Sequence, residues 1–450
     1  MEITELYHKY QECGYKVTTD SRAIAGGEIF FALRGENFDG NNYAQKALEA
    51  GAAWAVVNDD IEAQNEKFIR VPDPFTALQQ LAIYHRQHAL GEKHLPVVGL
   101  TGTNGKTTTK ELISAVLSKK FRVCATHGNL NNDIGVPLSL LKIRPDTEIA
   151  VIEMGASHPD DIAKLVKVSQ PDYGLITNIG KAHLLGFGSF EGVKAAKGEL
   201  YNWLGSHEGS LIFLNEDDED LRAMAAKQPC HTFGYGINYQ KAELLPTSAE
   251  EPFLRMRLGE DTISTKLIGG YNATNVLAAI TIGEYFGVSR ADAIAAIEEY
   301  IPSNGRSQMQ RTASNTLIVD AYNANPSSMK SALDNFATAE ASFKVAMLGD
   351  MRELGADSVK EHVAIVAKLA EMVMTKRLDR IYLVGDEFSK ALAEFSGKNL
   401  TLMSIAGPAF FYCGSSEELA GFLKENPLTD ALVLIKGSHS IAMEKTIPAL

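Results

Sequence analysis

Short apolar runs alternate with turns and amphipathic stretches over the first part of the chain. Glu28–Leu33 and Ala53–Val57 are apolar runs of strand length, whereas Tyr43–Ala50 and Phe75–Leu90 carry apolar residues at helical spacing. A stretch at 91–96 then has the composition of a linker. We therefore predict a small α/β domain before this linker.

From residue 97 to about residue 303, strand-like runs alternate regularly with helical stretches. The strand-like runs are Val97–Leu100, Arg122–Ala125, Glu148–Glu153, Tyr173–Asn178 and Ser210–Asn215. This alternation predicts a mostly parallel sheet with helices on both faces. Ser189–Trp203 is one such helix, residues 235–268 form a β-rich excursion, and an alanine-rich helix opens after 269–275.

A break at 301–305 precedes a second alternating region. Its predicted strands are Thr316–Asp320, Lys344–Leu348, Arg380–Val384 and Ala431–Ile435. They predict a second open sheet of Rossmann-like type, although no G-x-G-x-x-G fingerprint follows the first strand, so dinucleotide binding is not supported. With 450 residues and ~150 residues per domain, we expect three α/β domains. The predicted limits are 1–94, 95–304 and 305–450.

The stretch Val97–Lys110, VVGLTGTNGKTTTK, combines a strand, a glycine-bearing turn and the start of a helix. In that setting backbone N–H groups and a helix N-terminus hold phosphate, Lys106 would reach the outer phosphates, and the Thr107 hydroxyl would bind Mg²⁺. The strict pattern G-x-x-x-x-G-K-[ST] is not met, because Leu100 stands where its first glycine belongs. We interpret the stretch as a nucleotide-binding turn of P-loop type, the alternative being an ordinary tight strand–helix turn.

Other polar residues stand at or after the ends of predicted strands in the same domain. Ligands in open α/β sheets sit beyond the carboxyl ends of the strands, where Glu153 and Asn178 fall. Mg²⁺ takes oxygen ligands, so Glu153 is the best candidate carboxylate. His183 follows a strand by a few residues, but histidine is an unusual Mg²⁺ ligand. Lys197 would by default be a solvated lysine, so chemistry alone selects neither residue.

The last domain has three polar strand ends. Asp320 ends its first strand, and Asn323 and Asn325 follow closely, although Asn325 would also cap a helix. Polar loops at 349–355 and 436–439 end two further strands. Three such ends predict a binding face that closes over the nucleotide site. Closure would exclude water from a reactive phosphorylated intermediate.

Composition narrows the class of protein. A formal net charge of −13 argues against a nucleic-acid partner, whose binding depends on basic surface. The four cysteines, Cys13, Cys124, Cys230 and Cys413, form no C-x-x-C, so neither a zinc site nor a disulfide framework is indicated. Free thiols fit a reducing cytosol. Without an apolar run of signal-peptide or membrane-span length, we expect a cytoplasmic protein with no membrane insertion.

Several stretches of this sequence resemble motifs of the Mur ligase family, nearly from end to end. They are TGTNGKTT (101–108), GNLNNDIGVPL (128–138), EMGA (153–156), TNIGKAHLLGFGS (177–189), AAKGELY (195–201), YNATN (271–275), GRSQ (305–308), DAYNANPSSM (320–329), GDMRELG (349–355) and KGS (436–438). The phosphate turn and Asn272 resemble all members and also folylpolyglutamate synthases. GNLNNDIGVPL and DAYNANPSSM are similar to the member that adds D-alanyl-D-alanine.

The resemblance implies an ATP- and Mg²⁺-dependent ligase that forms an amide bond. It would join D-alanyl-D-alanine to UDP-N-acetylmuramoyl-tripeptide through an acyl phosphate, giving the UDP-muramoyl-pentapeptide precursor of peptidoglycan. That activity would serve cell wall biogenesis, cell shape and cell division, with small molecules as substrates. The fold of this family suggests a monomer.

Residue roles follow from the same resemblance, motif by motif. The implied ATP contacts are Gly102, Thr103, Asn104, Gly105, Lys106, Thr107, Thr108, Asn272, Asn275, Arg306 and Asp320. The implied metal ligands are Thr107, Glu153, His183 and Lys197, the last as a lysine carbamylated by CO₂. The implied catalytic residues are Lys106, His183, Lys197, Arg306 and Asp320.

Substrate contacts are implied in two regions. TDSR (19–22) and ALRGENFDG (32–40) resemble the family's UDP-sugar-binding domain, although by composition alone both would be solvated loops. The implied substrate-binding residues are Ser21, Arg22, Arg34, Asn131, Asn132, Asn323, Asn325 and Ser327. One departure is His439, which stands where the family usually has arginine.

Three alternatives remain to be weighed. A folylpolyglutamate synthase would begin near its phosphate turn, whereas about 95 residues precede it here. A ligase adding diaminopimelate or lysine would show a DNPR-like motif in the last domain, and none is present. A nucleotide switch without ligation would have no use for a carbamylated Lys197. Whether the third residue of the tripeptide is diaminopimelate or lysine stays open.

Overall fold

The computed structural model describes residues 2–35, 38–246, 252–302 and 308–450. The N-terminal domain contains strands β1 (Val17–Thr18), β2 (Ile29–Phe31), β3 (Arg34–Gly35), β4 (Phe38–Asp39), β5 (Trp54–Asn58) and β6 (Phe68–Val71), with helices α1 (Ile3–Glu12), α2 (Ala44–Glu49) and α3 (Pro74–His88). A parallel sheet runs in the order β1–β2–β5–β6, and β3 and β4 form an antiparallel ribbon. Helix α3 begins where Asp73 accepts hydrogen bonds from the N–H groups of Phe75 and Thr76.

The N-terminal domain is attached to the central domain through buried polar contacts. The Tyr10 hydroxyl donates to the carbonyl of Leu141 at 2.5 Å, and the ring of His85 reaches the carbonyl of Ile143 at 2.9 Å. The buried Arg86 guanidinium pairs with Asp172 at 3.2 Å. These bonds and the surrounding apolar side chains fix α1 and α3 against the central sheet.

The central domain carries the phosphate turn at the point where its strand order reverses. Its first strands are β7 (Val97–Thr101), β8 (Val123–Ala125), β9 (Ile149–Glu153), β10 (Tyr173–Ile176), β11 (Leu211–Asn215) and β12 (His231–Tyr235), and its first helices are α4 (Lys106–Leu117), α5 (Gly135–Leu140), α6 (Asp161–Ser169), α7 (Leu184–Phe187), α8 (Phe190–Gly205) and α9 (Glu219–Ala225). The sheet is parallel in the order β12–β11–β10–β7–β9–β8. Because the chain crosses to opposite sides of β7, ligands are expected at the carboxyl end of that strand.

An antiparallel sheet and two helices complete this domain: β13 (Glu243–Leu244), β14 (Phe253–Leu258), β15 (Asp261–Ile268), α10 (Ala273–Tyr285) and α11 (Arg290–Glu299). Helix α10 packs closely on α4. A Cβ atom at Gly283 would lie only 2.3 Å from Cγ1 of Val116, so this close approach needs a glycine. The packing brings the start of α10 to the phosphate turn.

The C-terminal domain is a second open sheet. It contains β16 (Gln308–Arg311), β17 (Thr316–Asp320), β18 (Lys344–Gly349), β19 (Arg380–Val384), β20 (Phe410–Cys413) and β21 (Leu432–Lys436), with α12 (Pro326–Thr338), α13 (Ser358–Met374), α14 (Asp386–Lys398), α15 (Leu400–Ala406) and α16 (Ser416–Glu425). The order is β16–β17–β21–β18–β19–β20, with β16 antiparallel to β17 and the other pairs parallel. The carboxyl ends of β17, β21 and β18 are therefore neighbours, and all three carry the polar loops found in the sequence.

The predicted α/β class and both open sheets are confirmed. Strands β1, β6, β12, β16 and β20 were not predicted. Each lies at the edge of its sheet, and β12 is largely exposed, so its apolar pattern is weak. The domain boundary between residues 94 and 95 stays a prediction, and the domain boundary at 304–305 lies outside the described residues. Within the described part of the chain, no helix has the length and apolar character needed to cross a membrane.

Candidate active site

The phosphate turn needs glycine at two positions. Gly102 has φ +147°, and a Cβ atom there would lie 2.0 Å from the hydroxyl oxygen of Thr177. Gly105 has φ +78° and lies against the side-chain amide of Asn275. Side chains at these positions would be strained or would displace their neighbours. The two glycines thus allow the turn to pack tightly between β10 and α10.

The end of β10 holds the turn in shape. The N–H groups of Thr103 and Asn104 donate to the backbone and side-chain oxygens of Asn178, each at 3.0 Å. The Thr177 hydroxyl donates to the carbonyl of Asn104 at 2.6 Å. Because these bonds come from the protein itself, the turn is formed before any ligand binds.

Positive charge is concentrated at the mouth of the turn. The Lys106 ammonium group donates to the carbonyls of Gly102 and Thr103 at 2.9 and 3.2 Å. Helix α4 begins at the same residue, and its free N–H groups add the positive end of the helix dipole. The arrangement provides the backbone donors and the cation that a phosphate chain requires.

Glu153, at the end of β9, has an incomplete set of partners. Its carboxylate is 1% exposed, and Oε1 accepts hydrogen bonds from the Thr107 hydroxyl at 3.1 Å and from the Asn131 amide at 2.8 Å. Oε2 is buried and has no hydrogen-bond partner among the described residues. A buried carboxylate oxygen without a donor is costly unless a cation satisfies it. This orphaned oxygen beside a threonine hydroxyl fits a divalent cation.

His183 lies after β10 in the left-handed region, with φ +51°. Its Nδ1 atom contacts the carboxylate of Glu353, a residue of the C-terminal domain. Burial lowers the pKa of His183, while the neighbouring Glu353 carboxylate opposes that shift. The imidazole is thus held between the two domains.

Lys197 is buried within α8, and its amine donates to the carbonyl of Ala156 at 3.2 Å. Burial, together with the positive charge of Lys106, lowers the pKa of Lys197 well below that of an ordinary lysine. A lowered pKa favours the neutral amine, which is the nucleophilic form of lysine.

Asn272 and Asn275 link α10 to α4 through their side-chain amides. The Asn272 amide donates to the carbonyl of Ile268 at 2.8 Å and accepts from the Asn275 amide at 2.9 Å. The Asn275 oxygen in turn accepts from the Thr109 hydroxyl at 3.0 Å. Both asparagines therefore contribute to the shape of the site through protein contacts.

The polar side chains with which the C-terminal domain faces the phosphate turn form hydrogen bonds and ion pairs within the protein. The buried Lys436 ammonium pairs with Asp320 at 2.5 Å and donates to the carbonyl of Asn323 at 3.1 Å. Asn325 caps α12, and its amide also donates to the side chain of Asn104 at 2.7 Å. The last bond joins the C-terminal domain directly to the phosphate turn.

Between the domains lies a cleft of about 850 Å³. It brings together most of the residues selected from the sequence: Thr103, Asn104, Gly105, Lys106, Thr107, Thr108, Asn131, Asn132, Glu153, His183, Asn272, Asn275, Asp320, Asn323, Asn325 and Ser327. Gly102 and Lys197 are not among the residues that line the cleft. Arg306 lies outside the described residues.

The N-terminal candidates do not line this cleft. Arg22 pairs with Asp20 at 2.8 Å, next to Ser21 in a short 3₁₀ helix, Ser21–Ala23. Arg34 pairs with Asp39 and Asp60, each at 3.1 Å, on an exposed surface. These residues could contact only a ligand that extends beyond the central cleft.

Family models match most of the chain. The Mur ligase middle domain matches residues 100–283, the Mur ligase glutamate ligase domain residues 305–439, and the Mur ligase family catalytic domain residues 15–86. The UDP-N-acetylmuramoyl-tripeptide–D-alanyl-D-alanine ligase of Bacillus subtilis is 35% identical over 96% of this chain and 92% of its own length. The chain belongs to the Mur ligase family.

Solved Mur ligase structures have the same architecture. MurF from Acinetobacter baumannii gives a TM-score of 0.82 at 29% identity, covering 96% of this chain and 92% of that chain. MurF ligase from Thermotoga maritima in complex with ADP gives 0.79 at 26% identity, covering 96% of each chain. The family and the three-domain fold expected from the motifs are thus confirmed.

Two residues of this Mur ligase site were not selected from the sequence. Lys436 and Glu353 contact Asp320 and His183, residues far from them in the chain. The only available signal was their position in the motifs KGS and GDMRELG. In the described part of the chain, no group of three or more His, Cys, Asp and Glu side chains is arranged to hold a metal ion. A cation beside Glu153 would therefore also use hydroxyl, phosphate or water oxygens.

Proposed function

We propose that this Mur ligase joins D-alanyl-D-alanine to UDP-N-acetylmuramoyl-tripeptide with ATP as the energy source. The observation that carries this proposal is the similarity to a D-alanyl-D-alanine ligase along nearly the whole chain. The product would be the UDP-muramoyl-pentapeptide precursor of peptidoglycan. An enzyme of this kind works on small cytoplasmic substrates, so we place it in the cytoplasm and expect it to act as a monomer.

In this proposal the phosphate turn holds ATP. Backbone groups at 102–105 and the first turn of α4 surround the phosphates, while Lys106 and the Thr107 and Thr108 side chains supply further contacts. Asn272, Asn275 and Asp320 complete the nucleotide site, as the family motifs imply. Arg306 is proposed to approach the γ-phosphate on the basis of its GRSQ motif, since it lies outside the described residues.

Mg²⁺ is proposed on the side of the turn occupied by Glu153. Mg²⁺ would be held by the orphaned Oε2 atom of Glu153, the Thr107 hydroxyl and His183. When bound, Mg²⁺ would neutralise the charge that develops on the phosphates during transfer.

Lys197 is proposed to be carbamylated. Its neutral amine can attack CO₂, forming a C–N bond and releasing a proton to solvent, and the resulting carbamate presents oxygen atoms in place of a cation. The lowered pKa of Lys197 supports this modification, because only the unprotonated amine reacts. The carbamate would then add a negative oxygen ligand near Glu153 and His183.

The proposed reaction has two steps. The terminal carboxylate of the tripeptide attacks the γ-phosphorus of ATP, and ADP leaves, giving an acyl phosphate. The amine of D-alanyl-D-alanine then attacks the acyl carbon, a proton is lost from nitrogen, and phosphate leaves as the amide forms. The acyl phosphate is needed because a carboxylate is a poor acyl donor. The surrounding domains limit the access of water to this intermediate.

Substrate contacts are assigned to two regions. Asn131, Asn132, Asn323, Asn325 and Ser327 line the cleft, where the reacting carboxylate and the incoming dipeptide would meet. We propose that Ser21, Arg22 and Arg34 contact the distant UDP end of the extended substrate. The proposed domains are then 1–94 for the UDP-muramoyl group, 95–304 for ATP and 305–450 for closing the site.

The test is phosphate release from ATP and Mg²⁺ with defined pairs of co-substrates. One pair is UDP-muramoyl-tripeptide, in both third-residue forms, with D-alanyl-D-alanine; the other is a folate with glutamate. We expect release only when tripeptide and dipeptide are both present, and the preferred tripeptide identifies the third residue. Release with folate and glutamate, or without any acceptor, would contradict the proposed substrates.

A further inference from the structure

The segment 180–185, which follows β10 and contains His183, is contacted by three separate parts of the C-terminal domain. The backbone N–H of Lys181 donates to the Ser327 hydroxyl at 3.2 Å, at the start of α12. The Lys181 ammonium group donates to the Glu361 carboxylate at 2.7 Å, on α13. The backbone N–H of Leu185 donates to the carbonyl of Glu353 at 3.1 Å. Two backbone donors and one charged side chain of this segment therefore find their hydrogen-bond acceptors in the C-terminal domain.

The ion pair between Lys181 and Glu361 differs from an ordinary surface pair. The Glu361 side chain is only 11% exposed, whereas that of Lys181 is 48% exposed. Asp357 adds further negative charge near the Lys181 ammonium group. A charge-assisted bond to a buried carboxylate is stronger than one between two solvated groups. This pair can therefore influence how closely the segment and α13 approach each other.

The two domains are also in close steric contact here. A Cβ atom at Gly180 would lie 2.8 Å from the Ser327 hydroxyl oxygen, and one at Gly355 would lie 3.3 Å from a methyl group of Leu185. The contact is tight at both ends of the segment, with His183 between them. His183 itself adopts the left-handed conformation, which non-glycine residues keep only when their surroundings hold it.

We propose that Lys181 and Glu361 are positioning residues, whose ion pair makes the placement of His183 depend on contact between the central and C-terminal domains. Domains of one chain move relative to each other unless the interface between them is large. A charged contact at this point can therefore favour the arrangement in which the two domains touch. The role of His183 in catalysis rests on the proposed function, whereas the coupling itself does not.

The first test is amide hydrogen exchange of the full chain without substrates. In Glu361→Gln, we expect exchange at the Lys181 and Leu185 amides to rise about fivefold, because their acceptors lie in the other domain. The Thr177 amide, which donates to Thr101 within the central sheet, should not change. The matched control is Glu371→Gln, since Glu371 is an exposed carboxylate on the same helix α13, and it should exchange like the wild type.

A charge exchange separates coupling from general destabilisation. The double variant Lys181→Glu/Glu361→Lys should return the exchange rates at both amides toward the wild-type values, whereas Glu361→Lys alone should show the fastest exchange. Wild-type exchange at both amides in Glu361→Gln would overturn the proposal. So would equal acceleration across the whole central domain, or failure of the exchanged pair to restore protection.

A functional measurement then links the segment to the site. With active enzyme, Glu361→Gln should raise the Mg²⁺ concentration needed for half-maximal phosphate release severalfold, and Glu371→Gln should leave it unchanged. An unchanged Mg²⁺ requirement in Glu361→Gln would overturn the link to His183. If the wild type releases no phosphate while the exchange result holds, the proposed function fails and the coupling stands.

Discussion

The carboxyl ends of the two large parallel sheets face each other across the cleft, and they balance their charges differently. At the central sheet, Glu153 keeps one buried oxygen without a donor among the described residues, and the amine of Lys197 donates to the backbone carbonyl of Ala156. At the C-terminal sheet, the buried Lys436 pairs directly with Asp320. The central end thus contains a buried carboxylate oxygen that its described neighbours do not satisfy, whereas the C-terminal end is largely balanced by its own side chains.

Two buried carboxylates show the difference most clearly. Glu153 ends β9, and Asp350 directly follows β18, so both stand at equivalent positions in parallel sheets. Both oxygens of Asp350 accept hydrogen bonds, from the N–H groups of Phe388 at 2.9 Å and Glu387 at 3.1 Å. Burial raises the pKa of Asp350, and these bonds oppose the shift. Asp350 is therefore a structural residue, and position at a strand end does not by itself define a ligand site.

The largest expected effect is at Lys197. Lys197→Ala should lower ligation by a factor of about 1,000 or more, because it removes the carbamate that we propose as a metal ligand, and such a ligand contributes several kcal/mol of charge stabilisation. Short carboxylic acids should restore part of the activity by supplying the missing oxygens. The measurement is phosphate release with both co-substrates, with and without added acid. Unchanged activity in this variant would remove the metal-ligand assignment.

Glu153→Gln should reduce activity at least about 100-fold, since it removes the negative oxygen that a cation would use. An amide oxygen at this position can still accept from Thr107 and Asn131, so the free energy of unfolding should change by no more than about 1 kcal/mol. Rates over a range of Mg²⁺ concentrations and urea unfolding provide the two measurements. A variant with wild-type rates and Mg²⁺ dependence would show that the orphaned oxygen binds no cation.

Asp350→Asn should show the opposite pattern. Both oxygens of Asp350 accept from backbone donors, and an asparagine has only one oxygen, so we expect a loss of about 1–3 kcal/mol in unfolding free energy. Activity per folded molecule should fall far less than in Glu153→Gln. Comparison of both variants at a temperature where both are folded checks this. A stability close to that of the wild type, with activity lost, would reverse the roles assigned to the two carboxylates.

The phosphate turn was predictable from sequence because its residues are local. Gly102, Gly105 and Lys106 lie within one strand–turn–helix unit, and the structure places them as that pattern requires. The pairs Asp320–Lys436 and Lys181–Glu361 were not predictable, since each joins residues more than 100 positions apart. Such contacts depend on how the sheets pack, which apolar periodicity does not specify. For the same reason, polar strand ends could be recognised in the sequence, but not which of their charged side chains are paired with an opposite charge.

The smallest effect concerns the pH dependence of stability at Lys197. Burial lowers the pKa of Lys197 in the folded protein, whereas a lysine in the unfolded chain has a pKa of about 10.4. At a pH between the folded and the unfolded pKa of Lys197, this lysine is protonated in the unfolded chain but not in the folded protein. The stability of the wild type therefore rises with pH toward about 10.4. In CO₂-free buffer, Lys197→Met should therefore be more stable than the wild type at pH 7 by on the order of 1–3 kcal/mol.

The stability advantage of Lys197→Met should shrink as the pH approaches 10. At that pH the lysine of the unfolded chain also loses its proton, so burying the neutral amine costs the wild type less. Urea unfolding of both proteins at pH 7 and pH 9.5 measures the difference. Lys194→Met, at a half-buried lysine of the same helix that pairs with Asp220 at 2.7 Å, is the control. Because Asp220 raises the pKa of Lys194, this variant should not show the same trend with pH. A stability difference that does not vary with pH would contradict the assigned burial effect.

Ligation through an acyl phosphate is tested most directly by following the oxygen atoms of the tripeptide. Tripeptide with ¹⁸O in its terminal carboxylate is incubated with ATP, Mg²⁺, D-alanyl-D-alanine and the wild-type enzyme, and the released phosphate is analysed by mass spectrometry. We expect one ¹⁸O atom in the phosphate and formation of the pentapeptide, because the carboxylate oxygen that attacks phosphorus leaves with it. Pentapeptide formation with unlabelled phosphate would contradict the acyl phosphate, and the absence of pentapeptide would contradict the ligase.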